Sequence, residues 1–347
     1  MRLPCGCFIV PRSVLERFAQ DRSLRPTTRQ AFARTRDLDP IWRQLRCAHT
    51  EAAQARLLLI PCAELATTPL VTVYTCDHST SLPGAPIAKP GSSSDDTAQR
   101  AFRQTTAVAR FYKNCFDRNS VDDAGMTLMS SIHYGQKYNN AFWNGSQMTY
   151  GDGDGQIFVD FTRSNDVIGH ELTHGVTQYT AGLGYEDQPG ALNESISDVF
   201  GSMFRQWQAK QSVKSADWLI GSGIMGPAAK SKGYRCLRSM AEPGAAICLS
   251  PQPARMKDYE QGGDPHTNSG IPNRAFYLVA MGIGGRSWEK AGKIWYAALT
   301  SPKATQDMNF KAFAKLTKSA ATRLFPGDSK VAQAVKAGWK GVGISIT

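Results

Sequence analysis

No run of this 347-residue sequence approaches the roughly 18 apolar residues that a membrane-spanning helix needs. A membrane is therefore not expected as a partner. The N-terminus also lacks the continuous apolar core of a secretory signal, so the chain is expected to be cytoplasmic as synthesised, with any export by a non-classical route. Lysine is absent from the first 60 residues, which carry 11 arginines against 5 acidic residues, +6 of the chain's total of +11. Those arginines are spread through helix-like stretches at 13–20 and 27–36. That spread fits a solvated face or a docking surface for an acidic cleft better than a nucleic-acid site, and no nucleic-acid partner is expected. Gly151-Asp152-Gly153-Asp154-Gly155 lacks the Gly-Lys-Ser/Thr ending of a phosphate loop and reads as a turn. No internal repeat is present. Histidine is scarce, with six in the chain, which makes two at helical spacing informative.

The bulk composition, 41% hydrophobic and 20% charged, is that of a globular protein. The length favours two or more domains. The basic segment at 1–65 reads as a separate unit, and Leu57–Pro61 with Ala63–Pro69 as an exposed joint, with cleavage expected near residues 60–72. A strand is predicted at 70–75, a Pro/Gly/Ser-rich loop at 81–96, a helix at 97–115, and strands and turns at 127–150. From Asp166 onward the pattern turns helical, including 193–207, 271–281, 288–300, 310–324 and 329–338. The expected architecture is α+β: a β-rich lobe over 70–165 and a helical lobe over 166–347.

His170-Glu171-Leu172-Thr173-His174 lies on an apolar helical stretch. Residues four apart share a helix face, so both imidazoles can grip one zinc while Glu171 points beside them at a water. Twenty residues downstream, in Asn193-Glu194-Ser195-Ile196-Ser197-Asp198, Glu194 and Asp198 repeat that spacing and offer a third ligand and a supporting carboxylate. Three nitrogen and oxygen donors leave the fourth tetrahedral position open, the pattern of a catalytic zinc; a structural zinc is closed, usually by cysteines. The arrangement reads as a zinc peptidase. A pair of satisfied core histidines is the plainer alternative, and the flanking Glu171, Glu194 and Asp198 count against it.

These segments, with Asn140-Ala141-Phe142-Trp143-Asn144-Gly145, Tyr179-Thr180-Ala181-Gly182-Leu183, Leu237-Arg238-Ser239-Met240 and His266-Thr267-Asn268-Ser269-Gly270, resemble the thermolysin family of zinc endopeptidases. The likeness runs from about residue 70 to the end of the chain. It implies a two-lobed zincin-type fold with one catalytic zinc in the cleft, held by His170, His174 and Glu194. By the same resemblance Glu171 is the general base, and Asp198 orients His170. Tyr185 and His266 would stabilise the charge that develops on the substrate carbonyl. Asn140, the Ala141 carbonyl and Arg238 would hold the substrate backbone, and Phe158, Phe161, Val167 and Leu237 would form an apolar pocket for the residue after the scissile bond. The carboxylate that orients His266 is open between Glu260 and Asp264, with Glu260 preferred. The implied partners are peptide or protein substrates, acted on by a monomer; members of the family mostly act outside the cell.

The double calcium site of the family is expected to be absent. Asp166 and Asp217 remain, but Arg205, Leu219 and Ser222 stand at matching positions, and a cation opposes a calcium shell. Weak calcium sites elsewhere are left open. The opening Cys5-Gly6-Cys7-Phe8-Ile9-Val10-Pro11 resembles the short propeptide of the protealysin-like branch, which implies a zymogen whose own prosegment covers the cleft and is removed by the enzyme. Cys7 or Cys5 could occupy the open zinc position and hold the precursor latent, or both could simply pack beneath the prosegment. Of the eight cysteines, Cys236 and Cys248 are near enough in sequence to bridge a loop.

Overall fold

The two helices that carry the His170–His174 and Asn193–Asp198 segments lie against each other with no side chain between them at their closest point. The structure, a computed structural model, describes residues 7–40 and 69–347. Helices α4 (Asn165–Gln178) and α5 (Asp187–Gln208) are buried along most of their length. A Cβ at Gly201 would stand 2.5 Å from the Asp166 carbonyl oxygen and 3.0 Å from the His170 nitrogen, and one at Gly169 would stand 3.1 Å from the Gly201 Cα. Glycine at both positions lets the backbones meet, and that separation brings the α5 carboxylates within reach of the α4 imidazoles.

On one side of α4 is a six-stranded sheet in the order β1–β5–β6–β4–β2–β3. Its strands are β1 (Cys7–Phe8), β2 (Val71–Thr75), β3 (Ala85–Pro86), β4 (Leu128–Ile132), β5 (Ala141–Trp143) and β6 (Met148–Tyr150). β4 runs parallel to β2 and β6, while β5 runs antiparallel to β6 and to β1. The edge strand β1 therefore comes from the arginine-rich N-terminal unit. In that unit α1 (Arg12–Gln20) follows Pro11, and the described part of α2, residues 26–40, opens on Pro26. Phe18 stacks near Phe32, and Phe32 near Phe158 of the β-rich lobe, with ring centroids 5.1 and 5.9 Å apart.

Helix α3 (Asp96–Phe116) begins where Asp95 accepts a hydrogen bond from the Thr97 amide and ends at Asp117 in the left-handed region. Its buried residues recur three and four apart and pack on β2, β4 and α4. The helical lobe is built from α5 with α6 (Pro227–Ser231), α7 (Pro265–Asn268), α8 (Gly270–Ile283), α9 (Lys290–Leu299), α10 (Phe310–Leu324) and α11 (Ser329–Gly341). A two-stranded sheet of β7 (Leu219–Ile220) and β8 (Arg238–Ser239) lies beside α5. Trp295 and Trp339 stack 6.0 Å apart in its core, with Phe276 edge-on to Trp295. The architecture is the α+β arrangement expected from the sequence. The strand β1 was not anticipated, because two residues make a strand only against a preformed edge. The joint and most of the expected cleavage region, 60–68, lie outside the described residues. Among the described residues no helix is long and apolar enough to cross a membrane.

His133 ties three parts of the β-rich lobe together. Its Nδ1 is 2.8 Å from Asp152 and its Nε2 3.0 Å from the helix-capping Asp95, with His78 on the other Asp152 oxygen at 3.4 Å. The bond from Asp152 outweighs the opposing effect of burial and, with Asp95, raises the His133 pKa to about 9. A folded-state pKa above the unfolded one contributes stability that is complete below about pH 6.5 and is lost as pH rises through about 9. The urea midpoint is expected to fall between pH 7 and 10, and to fall less for His133→Asn; equal slopes for the two chains would refute this. Independently, Gly201→Ala is expected to lower stability by roughly 1–3 kcal/mol through overpacking, measured as a urea midpoint in the metal-loaded protein.

Candidate metal centre and substrate cleft

Each α4 histidine is held by its Nδ1 so that its Nε2 faces inward. His170 Nδ1 is 2.8 Å from Asp198 Oδ1. His174 Nδ1 is 2.9 Å from Asn193 Oδ1 and 3.0 Å from Ser197 Oγ. The two Nε2 atoms converge to 3.0 Å, and the Glu194 carboxylate lies 3.4 Å from the first and 3.5 Å from the second. All three side chains are buried. Separations of this size are the edges of a tetrahedron whose centre is about 2.0–2.1 Å from each donor, the bond length of zinc to nitrogen and oxygen. Glu194 Oε2 is buried with no well-formed hydrogen bond, its polar neighbours being the Nε2 atoms of His170 at 3.4 Å and His266 at 3.3 Å. The donor set therefore fits one zinc. Asn193 and Ser197 as supports of His174 were not assigned from sequence, although both lie in the segment that signalled the site.

Asp198 is the hub of the supporting shell. Besides His170 it accepts two bonds from Arg238, at 2.7 and 2.8 Å, and one from Asn273 at 2.9 Å. Burial alone would raise its pKa, but the Arg238 guanidinium and His170 outweigh that and hold it well below the usual carboxylate range. Burial likewise opposes charge on His170, yet Asp198 and Glu194 raise its pKa to about 9. The cavity carries a net attraction for positive charge.

Glu171 accepts a hydrogen bond from the Trp143 amide at 3.0 Å, so its carboxylate lies between α4 and β5. Opposite it, the Tyr185 hydroxyl bonds to Glu194 Oε1 and lies 3.4 Å from His266 Nε2. His266 Nδ1 is 2.7 Å from Asp264. This corrects the preference for Glu260: that residue is exposed, and its backbone, not its carboxylate, meets Asn268. Asp264 caps α7 by accepting the His266 amide, so one carboxylate starts the helix and orients the imidazole. Burial opposes protonation of His266, but the Glu194 and Asp264 carboxylates prevail and raise its pKa.

Residues 70–178 match the model of the thermolysin metallopeptidase catalytic domain, and residues 181–344 that of its alpha-helical domain. The chain belongs to the thermolysin family. It is a zinc metalloendopeptidase. Among its relatives, Protease PrtS of Photorhabdus sp. (strain Az29) is 45% identical over 288 residues, covering 79% of this chain and 76% of the relative. An extracellular metalloprotease of Pectobacterium carotovorum subsp. carotovorum is 44% identical over 286 residues, covering 79% of this chain and 81% of the relative. The solved precursor of protealysin, a metalloproteinase from Serratia proteamaculans, superposes with a TM-score of 0.84 at 40% identity, covering 98% of this chain and 100% of that one.

In this thermolysin-family chain the cleft is filled by its own N-terminal segment. Asn140 accepts from the Val10 amide at 2.9 Å and donates to the Val10 carbonyl at 3.2 Å. The Ala141 carbonyl accepts from the Ile9 amide at 3.2 Å. Arg238 donates to the Ile9 carbonyl at 2.9 Å, and His266 Nε2 lies 2.5 Å from the Phe8 carbonyl oxygen. Ile9 is buried in the same apolar cluster as Phe158, Phe161, Val167 and Leu237. Cys7 is buried near the metal donors; Cys5 lies outside the described residues. A residue that sequence reasoning missed, Asp39 on α2, reaches Tyr138 at 2.6 Å and Asn140 at 3.0 Å and anchors the unit. Nothing local in the sequence marks it.

Away from the cleft, Arg205 bonds to Asp217, to the Leu219 carbonyl at 2.9 Å and to Asp166 at 3.4 Å, bridging both acidic residues. Cys236 and Cys248 are thiols with sulfurs 3.7 Å apart. In enzyme freed of the N-terminal segment, Asp264→Asn is expected to lower kcat on a peptide substrate by on the order of tenfold to a hundredfold, since the His266 imidazole loses the carboxylate that orients it. Glu260→Gln is expected to leave kcat unchanged; the reverse ranking would restore Glu260 to the role.

Proposed function

We propose that this enzyme hydrolyses peptide bonds with Glu171 as general base and with His170, His174 and Glu194 as the ligands of a single zinc. The observation that carries the reading is the convergence of these donors to within 3.0–3.5 Å of one another, with the Glu171 carboxylate on the same helix. Zinc bound there supplies a Lewis acid and lowers the pKa of water. Glu171 takes the proton from the attacking water and delivers it to the leaving amine. His266 and Tyr185 donate to the carbonyl oxygen as negative charge builds on it. Asn140 and the Ala141 carbonyl align the substrate as an added strand on β5, and Arg238 holds the carbonyl of the residue after the scissile bond. Phe158, Phe161, Val167 and Leu237 make the adjoining pocket apolar, which favours hydrophobic residues at that position.

Residues 1–65 act in this reading as a propeptide and intramolecular inhibitor, removed by the enzyme itself; the bonds between residues 8–10 and the cleft support it. Arg205, with its bonds to Asp166 and Asp217, takes the place of the family's paired calcium ions. The enzyme works on peptides or proteins, as a monomer. With enzyme freed of residues 1–65 and at matched zinc content, a quenched peptide with Phe or Leu after the scissile bond is expected to be cut. Glu171→Gln is expected to lower kcat by about 10²–10⁴-fold. A variant as active as the wild type would remove Glu171 from the role of base.

A further inference from the structure

We propose that the Phe8–Ile9 peptide bond lies in the register of a bond about to be cut, and that the Cys7 thiolate keeps it intact by taking the zinc position that the attacking water needs. The inference rests on the zinc reading above and adds to it which bond is presented and what blocks its hydrolysis.

The direction of the segment is fixed by its pairing: β1 runs antiparallel to β5, with Cys7 opposite Trp143 and Phe8 opposite Phe142. Three consecutive residues then engage the cleft in order. The Phe8 carbonyl faces His266 Nε2 at 2.5 Å, the Ile9 amide faces the Ala141 carbonyl and the Ile9 carbonyl faces Arg238, and Val10 is held at both polar atoms by Asn140. Only the Phe8 carbonyl is set against a group placed to stabilise an oxyanion. The bond it forms with the Ile9 nitrogen is therefore the one on which attack would fall. The flanking side chains are both buried. Ile9 lies in the main apolar core, to which Val167 and Leu237 also belong. Phe8 packs with Tyr134, Tyr138 and Phe142, its ring 5.2 Å from that of Phe142. This aromatic patch is a subsite for the residue before the scissile bond, a preference the apolar pocket for the following residue does not supply.

A segment bound in this manner would be cut unless water were excluded. Cys7, Glu194 and His174 each offer a ligand atom, all within 4.8 Å of one another and all buried. Zinc accepts thiolate sulfur at about 2.3 Å alongside nitrogen and oxygen donors. With zinc held there, the Cys7 thiolate would stand where the attacking water is needed. When it leaves, water can take its place. Water then adds to the Phe8 carbonyl carbon, the carbon–nitrogen bond breaks, and the products are a Phe8 carboxylate and an Ile9 amine.

The test uses the full chain, wild type and Cys7→Ser, loaded with cobalt(II) for spectroscopy and with zinc for mass spectrometry. Wild type is expected to show near-ultraviolet thiolate-to-cobalt charge transfer and an intact Phe8–Ile9 bond. Cys7→Ser is expected to lose that absorption and to accumulate a chain beginning at Ile9, and the same variant carrying Glu171→Gln to remain uncut. Absence of the thiolate band in wild type overturns the latch, whatever the variant does. Loss of the band without a new terminus at Ile9 overturns the register. Peptide hydrolysis by enzyme freed of its N-terminal segment separates the two levels: if that enzyme cuts, only this inference has failed; if it does not, the catalytic reading has failed as well.

Discussion

The closeness of α4 to α5 at Gly169 and Gly201 is the constraint on which the metal centre depends. Two imidazoles at positions i and i+4 of one helix define only a line of approach; the third donor must come from elsewhere, at a fixed distance. The missing side chains at the two glycines let the helix backbones touch, and that distance follows. Once the helices are in place, the Asp198 hub locks them electrostatically through His170, Arg238 and Asn273. Buried charge of this kind is costly unless every partner is present. Here the partners are also the groups that orient His170 and reach the Ile9 carbonyl in the cleft.

The same economy appears at the edge of the sheet. Without β1, β5 would be the edge of the sheet, and exposed edges invite strand addition. In this chain the N-terminal unit provides that strand, with Asp39 pinning Asn140 from behind. Asn140 thus serves two masters, the strand in the cleft and the unit that carries it. The arginine excess of the first 60 residues, which the sequence alone left between a solvated face and a docking surface, meets the catalytic unit at particular points, such as Arg17 on the Leu249 carbonyl at 2.7 Å.

Much of the site was legible because its parts are local in sequence. The HELTH stretch and the Asn193–Asp198 segment each carry helical spacing, and their chemistry is written in residue types that have few other reasons to stand together. The long helices of both lobes were legible from apolar periodicity for the same reason: α10 matches its expected bounds, and α3 of the β-rich lobe differs by one residue at each end. The partner of His266 was misjudged because it was sought by distance along a family pattern. Asp264-Pro265-His266 in fact carries the signature of a helix start, an acidic cap followed by proline, and reading that signal would have placed Asp264 two residues before the imidazole it orients. Asp39 and β1 were not legible at all. Each acquires its role from contacts with residues about 100 or more positions away, and neither carries a local pattern that names its partner.

A single cation held between α4 and α5 is what the catalytic chemistry requires. Diffraction data from crystals of the zinc-loaded full chain, collected on either side of the zinc absorption edge, give that position without assumption about activity. One anomalous peak per chain is expected, about 2.0–2.1 Å from His170 Nε2, His174 Nε2 and a Glu194 oxygen. A peak elsewhere, or none between these three side chains at full zinc loading, would contradict it.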